Sequence, residues 1–410
     1  MKTSCGVCGQ PIEPTYAMGD VYISNFIPAD ASSLEYPKSC LDISVCDTCG
    51  VGQLVDIIDP DVLYSKYWYY SGVNKTMHDA LLDVVQSIMG SVAFVPGDIW
   101  LDIASNDGTL LSYVPSAYRK IGIDPADNNV QEKARAHGEI VNDYFSYSAY
   151  KSVADRPAKV ITCIAMFYDL PNPHSFLQDV FDILDDDGVF VIQISYTPLM
   201  LKQLEFGNVC AEHTMYYSLS NLKLLLDQHG FNVVDCELND INGGSFRVYC
   251  TKNPKAWRNQ QQRDIGEFRI QSLLAYENSR DSVYDWGKFW FDVKLLKDRT
   301  FEFVQSVVKQ GKTVYGYGAS TKGNTLLQYF GLDNSLITAI AERNSTKWGL
   351  KTIGTEIPII SEDEMRSINP DYLLILPWHF IDEFKKREAP YLQAGGRFIV
   401  PSPKFEVISA

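Results

Sequence analysis

Two pairs of cysteines near the start of the chain have the spacing of metal-binding turns. Cys5 and Cys8 form one CxxC pair, and Cys46 and Cys49 form the second. Four thiolates presented from two tight turns satisfy the tetrahedral coordination that zinc prefers. Four sulfur ligands leave no open position, so the predicted Zn²⁺ is structural; free buried thiols are the alternative. Cys40 has no partner at this spacing and is not a predicted ligand.

Residues 99–111 read as an apolar strand, a loop of small residues and the start of a helix, which predicts a ligand site at the carboxyl end of the strand. The loop lacks the GxGxxG pattern that lets a backbone approach a pyrophosphate. Its acidic and amide groups favour a cationic ligand such as S-adenosylmethionine, and a carboxylate after the next strand can accept from both ribose hydroxyls. A strand cap beside a solvated turn is the alternative. The predicted cofactor residues are Asp102, Ser105, Asn106, Asp107, Gly108 and Asp124.

A possible acid and base pair follows the fourth strand of this region. Glu212 and His213 stand beside two tyrosines, the second of which is Tyr217. Histidine titrates near neutrality and a carboxylate can orient it, which favours general acid and base chemistry. A structural histidine is the alternative.

A second strand, turn and helix unit occurs near residue 316. Ser320, Thr321 and Lys322 lie at the start of its helix, where hydroxyls, a cation and free backbone N–H groups suit a phosphate. The spacing of a Walker loop is absent. A tight turn with incidental hydroxyls is the alternative.

Strands and helices alternate along the chain from about residue 75, which predicts a parallel, doubly wound sheet of the α/β class that would hold these residues. Two later strands, near 231–251, read as a closing antiparallel pair. The predicted domains are a zinc-binding segment at 1–70, a cofactor-binding domain at 71–255, a helical connector at 256–305 and a Rossmann-like domain at 306–410.

Composition narrows the class of protein. The 410 residues carry 36 basic and 51 acidic side chains, a net charge of −15, which opposes binding to nucleic acid or anionic lipid. No apolar run is long enough for a membrane helix, and the first residues do not resemble a signal peptide. We therefore expect a cytoplasmic protein without membrane or nucleic-acid partners, and we favour a monomer.

Taken in order, these motifs resemble those of the sugar C-methyltransferases, which use S-adenosylmethionine to methylate a ring carbon of nucleotide-linked deoxy-keto sugars. The resemblance spans nearly the whole chain. It includes the CxxC pairs, the aromatic run 67–71, SNDG at 105–108, Glu-His at 212–213, GGS at 243–245, GYGA at 316–319 and PDYLLILPW at 370–378. It implies a zinc-binding N-terminal domain, a class I methyltransferase domain and a Rossmann-like C-terminal domain that enclose the sugar nucleotide.

The resemblance also implies roles for individual residues. His213 removes a proton next to a ketone, Glu212 positions or polarises it, and Tyr67, Tyr69 or Tyr217 donates to the enolate oxygen. The residues expected to bind the substrate are Tyr67, Tyr69, Asn242, Arg247, Ser320, Thr321 and Lys322.

Three positions depart from the family pattern. Cys210 and Asn242 stand where the family commonly has Tyr and His, and Phe167 lies in a loop that often carries another His. These departures leave open methylation of oxygen or nitrogen, and a homologue that binds a sugar nucleotide without catalysis. A zinc-dependent nucleic-acid binder is disfavoured by the net charge.

Overall fold

The computed structural model describes residues 2–64, 71–73, 75–126 and 128–410. The N-terminal segment is built from short strands and one short helix rather than from long elements around a core of its own. Its elements are β1 (Asp20–Tyr22), β2 (Phe26–Pro28), β3 (Lys38–Cys40), β4 (Ile43–Val45), β5 (Gly52–Leu54) and α1 (Pro60–Tyr64). Strand β1 pairs with β3, and β4 pairs with β5, each antiparallel.

The central part is a seven-stranded sheet flanked by helices. Its helices are α2 (Lys75–Met89), α3 (Thr109–Tyr113), α4 (Asn128–Ala134), α5 (Tyr147–Lys151), α6 (Pro173–Ile183), α7 (Thr197–Lys202) and α8 (Leu219–Gln228). Its strands, with the short β11, are β6 (Ile99–Ile103), β7 (Arg119–Ile123), β8 (Glu139–Val141), β9 (Ala158–Ile164), β10 (Leu184–Ser195), β11 (Met215–Tyr216), β12 (Asn232–Asn239) and β13 (Ser245–Thr251).

The strand order of this sheet is β12, β13, β10, β9, β6, β7, β8. All neighbours from β10 to β8 are parallel, and β13 runs antiparallel to both β10 and β12. Every residue of β6 is buried, as expected for a parallel strand covered on both faces. The predicted α/β class, with its doubly wound sheet and closing antiparallel pair, is confirmed.

The C-terminal part follows two long helices, α9 (Gln260–Asn278) and α10 (Ser282–Lys309). Its strands are β14 (Val314–Tyr317), β15 (Ile340–Glu342), β16 (Leu350–Thr352), β17 (Ile359–Ser361), β18 (Tyr372–Ile375), β19 (Arg397–Val400) and β20 (Glu406–Ile408). Its helices are α11 (Thr321–Phe330), α12 (Glu362–Ile368), α13 (Ile381–Arg387) and α14 (Ala389–Gln393). The six-stranded sheet has the order β17, β15, β14, β18, β19, β20, parallel except for β20.

The N-terminal segment is joined to both larger parts by strand pairing. Strand β5 pairs with β11 of the central part, and β2 pairs with β16 of the C-terminal part. Helix α10 also packs closely on β5, because a Cβ at Gly52 would lie only 2.5 Å from the Trp286 ring. These contacts fix the N-terminal segment between the two sheets. In the described parts of the chain, no helix combines the length and apolar content needed to cross a membrane.

Candidate functional site

The four predicted zinc ligands lie together. The sulfur atoms of Cys5, Cys8, Cys46 and Cys49 are all within 4.8 Å of one another. The Cys5 to Cys49 and Cys8 to Cys46 distances are both 3.6 Å. Tetrahedral zinc with bonds of about 2.3 Å requires sulfurs about 3.8 Å apart, so the cysteine cluster fits the ion.

A cleft of about 470 Å³ opens at the carboxyl ends of β6 and β9. In the sheet, β6 lies between β7 and β9, so the chain proceeds to opposite sides of β6. Sheets of this kind bind ligands where the strand order reverses in this way. Ala104 and Ala165, just after these two strands, have φ values of +59° and +56°. Such backbone strain in residues other than glycine is typical of functional sites. This main cleft is lined, among others, by Asp102, Ser105, Asp124, Tyr168, His213 and Lys322.

Asp124 stands at the edge of the main cleft after β7. Its two carboxylate oxygens accept from the backbone N–H groups of Asn106 and Ala126, each at 2.8 Å. Burial raises the pKa of this carboxyl. Asp102, at the end of β6, accepts from the Thr162 hydroxyl at 2.6 Å, and burial raises its pKa to about 7. Both carboxyls are therefore held rigidly in the cleft wall.

In the loop after β6, some residues line the cleft and others hold the loop in place. Ser105 and Asn106 line the cleft, whereas Asp107 and Gly108 are not among its lining residues. Asp107 accepts from the backbone N–H groups of Gly72 at 2.9 Å and Thr109 at 3.3 Å, so it holds the loop and begins α3. Gly108 is required by packing, since a Cβ there would lie 2.9 Å from the Ala134 Cα.

Glu212 and His213 both line the main cleft and are buried. The Nδ1–H of His213 donates to the Asn208 carbonyl at 2.9 Å, which leaves the lone pair on Nε2. Burial, with a smaller effect of the Lys322 charge, lowers the pKa of His213 to about 3. Glu212 is the residue predicted to orient this ring, whereas in the structure Nδ1–H of His213 donates to the Asn208 carbonyl. Burial raises the pKa of Glu212, whose Oε2 has no hydrogen-bond partner among the described residues.

Tyr217, which is predicted to be catalytic, is not among the residues that line the main cleft. Its side chain is fully buried in the core that includes Cys5 and Cys46, and its ring lies 5.4 Å from that of Phe167. Neighbouring side chains of an extended segment point to opposite sides. Tyr216 therefore faces the other way, and its hydroxyl donates to the Asn208 carbonyl at 3.4 Å.

The start of α11 reaches the same cleft from the C-terminal part. Thr321 and Lys322 line the main cleft together with Asn242. The ammonium group of Lys322 donates to the side-chain oxygen of Asn208, across the boundary between the two sheets. Ser320 lies nearby, and its hydroxyl accepts from the Gly323 N–H at 3.0 Å as the helix cap.

A side cavity of about 160 Å³ adjoins the main cleft. It shares Asn242, Thr321 and Lys322 with that cleft and lies at the carboxyl ends of β14 and β18. The strand order of the six-stranded sheet also reverses there. Two buried polar atoms, Glu205 Oε2 and His379 Nδ1, have no hydrogen-bond partner among the described residues. The lining residues include Glu205, Ser320, Lys322, Phe330, Trp378 and His379.

Arg247, which is predicted to bind substrate, forms hydrogen bonds with other residues of the central part. Its guanidinium donates to Gln193 and to Asp83, each at 2.8 Å, and lies 3.9 Å from Glu237. It lines neither the main cleft nor the side cavity. Its hydrogen-bonding groups are therefore occupied within the protein. Tyr67 and Tyr69 lie outside the described residues.

Sequence reasoning missed four residues of the site. Tyr168 stacks on His213 with ring centres 4.2 Å apart, and Asn208 holds the same ring. Glu205 and His379 line the side cavity. A signal existed for Tyr168 and His379, which follow β9 and β18 where such sheets bind ligands. Asn208 and Glu205 lie in a loop without such a signal.

Two family models and a relative match this chain. The family model described as the C-methyltransferase C-terminal domain matches residues 240–403, and the one described as a methyltransferase domain matches residues 73–235. The chain is 32% identical to the C-methyltransferase NovU of Streptomyces niveus over 376 residues, 90% of this chain and 88% of the relative. This chain belongs to the C-methyltransferase family. The predicted enzyme class, a methyltransferase, is thereby confirmed.

Solved structures are also similar to part of this C-methyltransferase family member. A methyltransferase of Clostridium acetobutylicum, described as S-adenosylmethionine-dependent, is 12% identical with a TM-score of 0.32, over 42% of this chain and 89% of that one. The magnesium protoporphyrin IX methyltransferase of Synechocystis, solved with bound SAH, is 12% identical with a TM-score of 0.34, over 47% of this chain and 90% of that one.

Proposed function

We propose that this C-methyltransferase family member uses S-adenosylmethionine to methylate a carbon of a nucleotide-linked deoxy-keto sugar, through an enolate. The observation that carries the proposal is that one cleft contains groups suited to each part of the reaction. Asp124 lies at the cofactor edge, His213 between the two sheets, and Lys322 at the start of α11. The similarity to NovU, itself a C-methyltransferase, supports carbon as the acceptor.

The cofactor edge suits S-adenosylmethionine better than a dinucleotide. Asp124 and Asp102 place two carboxyls beside the cleft, which favours a ligand with hydroxyl and cationic groups over a pyrophosphate. Each oxygen of Asp124 already accepts one backbone N–H and has a further lone pair for a ribose hydroxyl. When bound, the cofactor supplies an electrophilic methyl group on sulfur.

The second substrate would span the main cleft and the side cavity. Its diphosphate would lie at the N-terminus of α11, where free backbone N–H groups and Lys322 attract an anion. The nucleoside of the substrate would extend into the side cavity, where the Glu205 carboxylate could accept from one of its N–H or O–H groups. This arrangement leaves the keto sugar in the main cleft, beside His213.

The chain's own chemistry is then proton removal. In the tautomer fixed by Asn208, Nε2 of His213 accepts the proton from the carbon next to the ketone, and the C–H electron pair forms the enolate. The new carbon–carbon bond forms as the carbon–sulfur bond breaks, so charge is conserved.

We also propose that the cysteine cluster holds one structural Zn²⁺ and that the chain is divided at the predicted boundaries, with domains at 1–70, 71–255, 256–305 and 306–410. The ion would close the turns that carry Cys5, Cys8, Cys46 and Cys49. Because four thiolates fill its coordination shell, it takes no part in methyl transfer.

The test is the product formed from S-adenosylmethionine with a ¹³C-labelled methyl group and a keto-sugar nucleotide. NMR should show the label bonded to a ring carbon. His213→Ala should slow turnover by roughly two to four orders of magnitude, the range of a general base. His137→Ala, which alters an exposed histidine, is the control and should retain the rate. Label on oxygen or nitrogen, or binding without turnover, would contradict the proposal.

A further inference from the structure

Asn208 links the C-terminal part to His213 through its side chain and its backbone carbonyl. Its side-chain oxygen accepts from the Lys322 ammonium group, and its backbone carbonyl accepts from His213 Nδ1–H at 2.9 Å. Asn208 is buried and lies in the single helical turn Phe206–Asn208. We infer that Lys322 is a positioning residue, which holds His213 in its working orientation through Asn208 and sets its protonation state through its own charge. The inference rests on the proposed role of His213 as the base.

The contact between Lys322 and this turn is close. A Cβ at Gly207 would lie only 3.1 Å from the Cβ of Lys322, so the lysine stem packs directly on the turn. The neighbouring residue Thr321 is held from the N-terminal segment, because the Ser24 hydroxyl donates to its carbonyl at 2.9 Å. The first turn of α11 is therefore fixed against the loop that carries His213, and a displacement of Lys322 is transmitted to Asn208.

Lys322 also acts on His213 through its charge. Burial raises the pKa values of Glu205 and Glu212, and the charge of Lys322 partly offsets this rise. Burial lowers the pKa values of His213 and His379 to about 3, and the charge of Lys322 adds to this lowering. The titratable and charged groups around His213 are Tyr168, Asp169, Cys210, Glu212, Tyr216 and Lys322.

Binding of the second substrate would change this balance. An anionic phosphate paired with Lys322 would offset the ammonium charge, so the pKa of His213 would rise towards its ordinary value. His213 would become a stronger base only when the phosphate is in place. Lys322 would thus couple binding of the phosphate to proton removal.

The first test needs no turnover. In full-length enzyme labelled with ¹⁵N-histidine, NMR reports the tautomer and the titration of His213 in the absence of substrate. Lys322→Met should move the titration midpoint to higher pH by about one pH unit or more, and Lys322→Arg should restore it. Lys322→Gln keeps a polar head without the charge and gives a second measurement. Lys347→Met removes another half-buried lysine, which donates to the Ala319 carbonyl, and should leave the midpoint unchanged.

The second test separates the link from phosphate binding. Lys322→Met and Asn208→Ala should each lower kcat by roughly tenfold or more, and the double variant should be no slower than the worse single one. Only Lys322→Met should also raise the KM for the sugar nucleotide. An unchanged His213 titration in both Lys322→Met and Lys322→Gln, or kcat effects that multiply, would overturn the inference. Absence of any methyl transfer would overturn the proposed function but leave the NMR result standing.

Discussion

Replacing Asp124 by Ala should weaken cofactor binding far more than replacing Asp107 by Ala. Asp107 is also a buried aspartate, but it does not line the main cleft. In the proposed complex the Asp124 carboxylate accepts from both ribose hydroxyls while its oxygens also hold the N–H groups of Asn106 and Ala126. The loss of two charge-assisted acceptors costs on the order of 2 to 4 kcal/mol, which is roughly a 30- to 900-fold weaker affinity.

The same change also affects the protein itself. Without the carboxylate, two backbone N–H groups lose their acceptor, at a cost of about 1 to 3 kcal/mol each where water does not replace it. Asp107 offers a matched control, because it is similarly buried, at 7% exposed against 6%, and also accepts from two backbone N–H groups, of Gly72 and Thr109. Asp107 does not line the main cleft.

The assay is calorimetric titration of both variants with S-adenosylhomocysteine, together with their thermal unfolding. Asp124→Ala and Asp107→Ala should lower the unfolding temperature to a similar extent. Only Asp124→Ala should weaken the affinity by more than about tenfold. An unchanged affinity in Asp124→Ala, or equal weakening in both variants, would refute the placement of the cofactor at this edge.

Three further predictions concern the cysteine cluster, Arg247 and Tyr217. Metal analysis of the purified protein should find about one zinc per chain, which Cys46→Ser/Cys49→Ser should lose; retention of the metal in that variant would contradict the cysteine cluster as its site. Arg247→Met should lower the unfolding free energy by roughly 1 to 3 kcal/mol, because it leaves the buried Gln193 oxygen without this donor, while KM for the sugar nucleotide stays unchanged. Tyr217→Phe removes a buried hydroxyl without a described partner, so stability should be unchanged or higher by about 1 kcal/mol, and a large loss of kcat would contradict its core position.

The sequence predicted the features that are local or that recur at fixed spacing. Parallel strands are covered on both faces and appear as apolar runs, which is why the fully buried β6 could be recognised from its residues alone. The Cys5 to Cys8 spacing likewise defines a single turn. The carboxylate at Asp124 was placed by counting from one strand to the next.

Features that depend on distant parts of the chain were not predictable in the same way. Lys322 and Asn208 are 114 positions apart, and no local pattern indicates that they meet. Arg247 has the residue type of a ligand-binding group, but Asp83, 164 positions earlier, accepts one of its hydrogen bonds. Tyr217 directly follows β11, and the side of the chain on which it lies could not be assigned until the strand that pairs with β11 was known.

Formation of an enolate can be measured as hydrogen exchange at the substrate carbon. The enzyme, S-adenosylhomocysteine and a keto-sugar nucleotide would be incubated in heavy water, and NMR would follow deuterium at the carbon next to the ketone. Exchange should be well above the rate without enzyme and should be lost in His213→Ala, because Nε2 removes that proton before any methyl group is transferred. Exchange that never exceeds the background, or that persists at the full rate in His213→Ala, would show that His213 does not form an enolate.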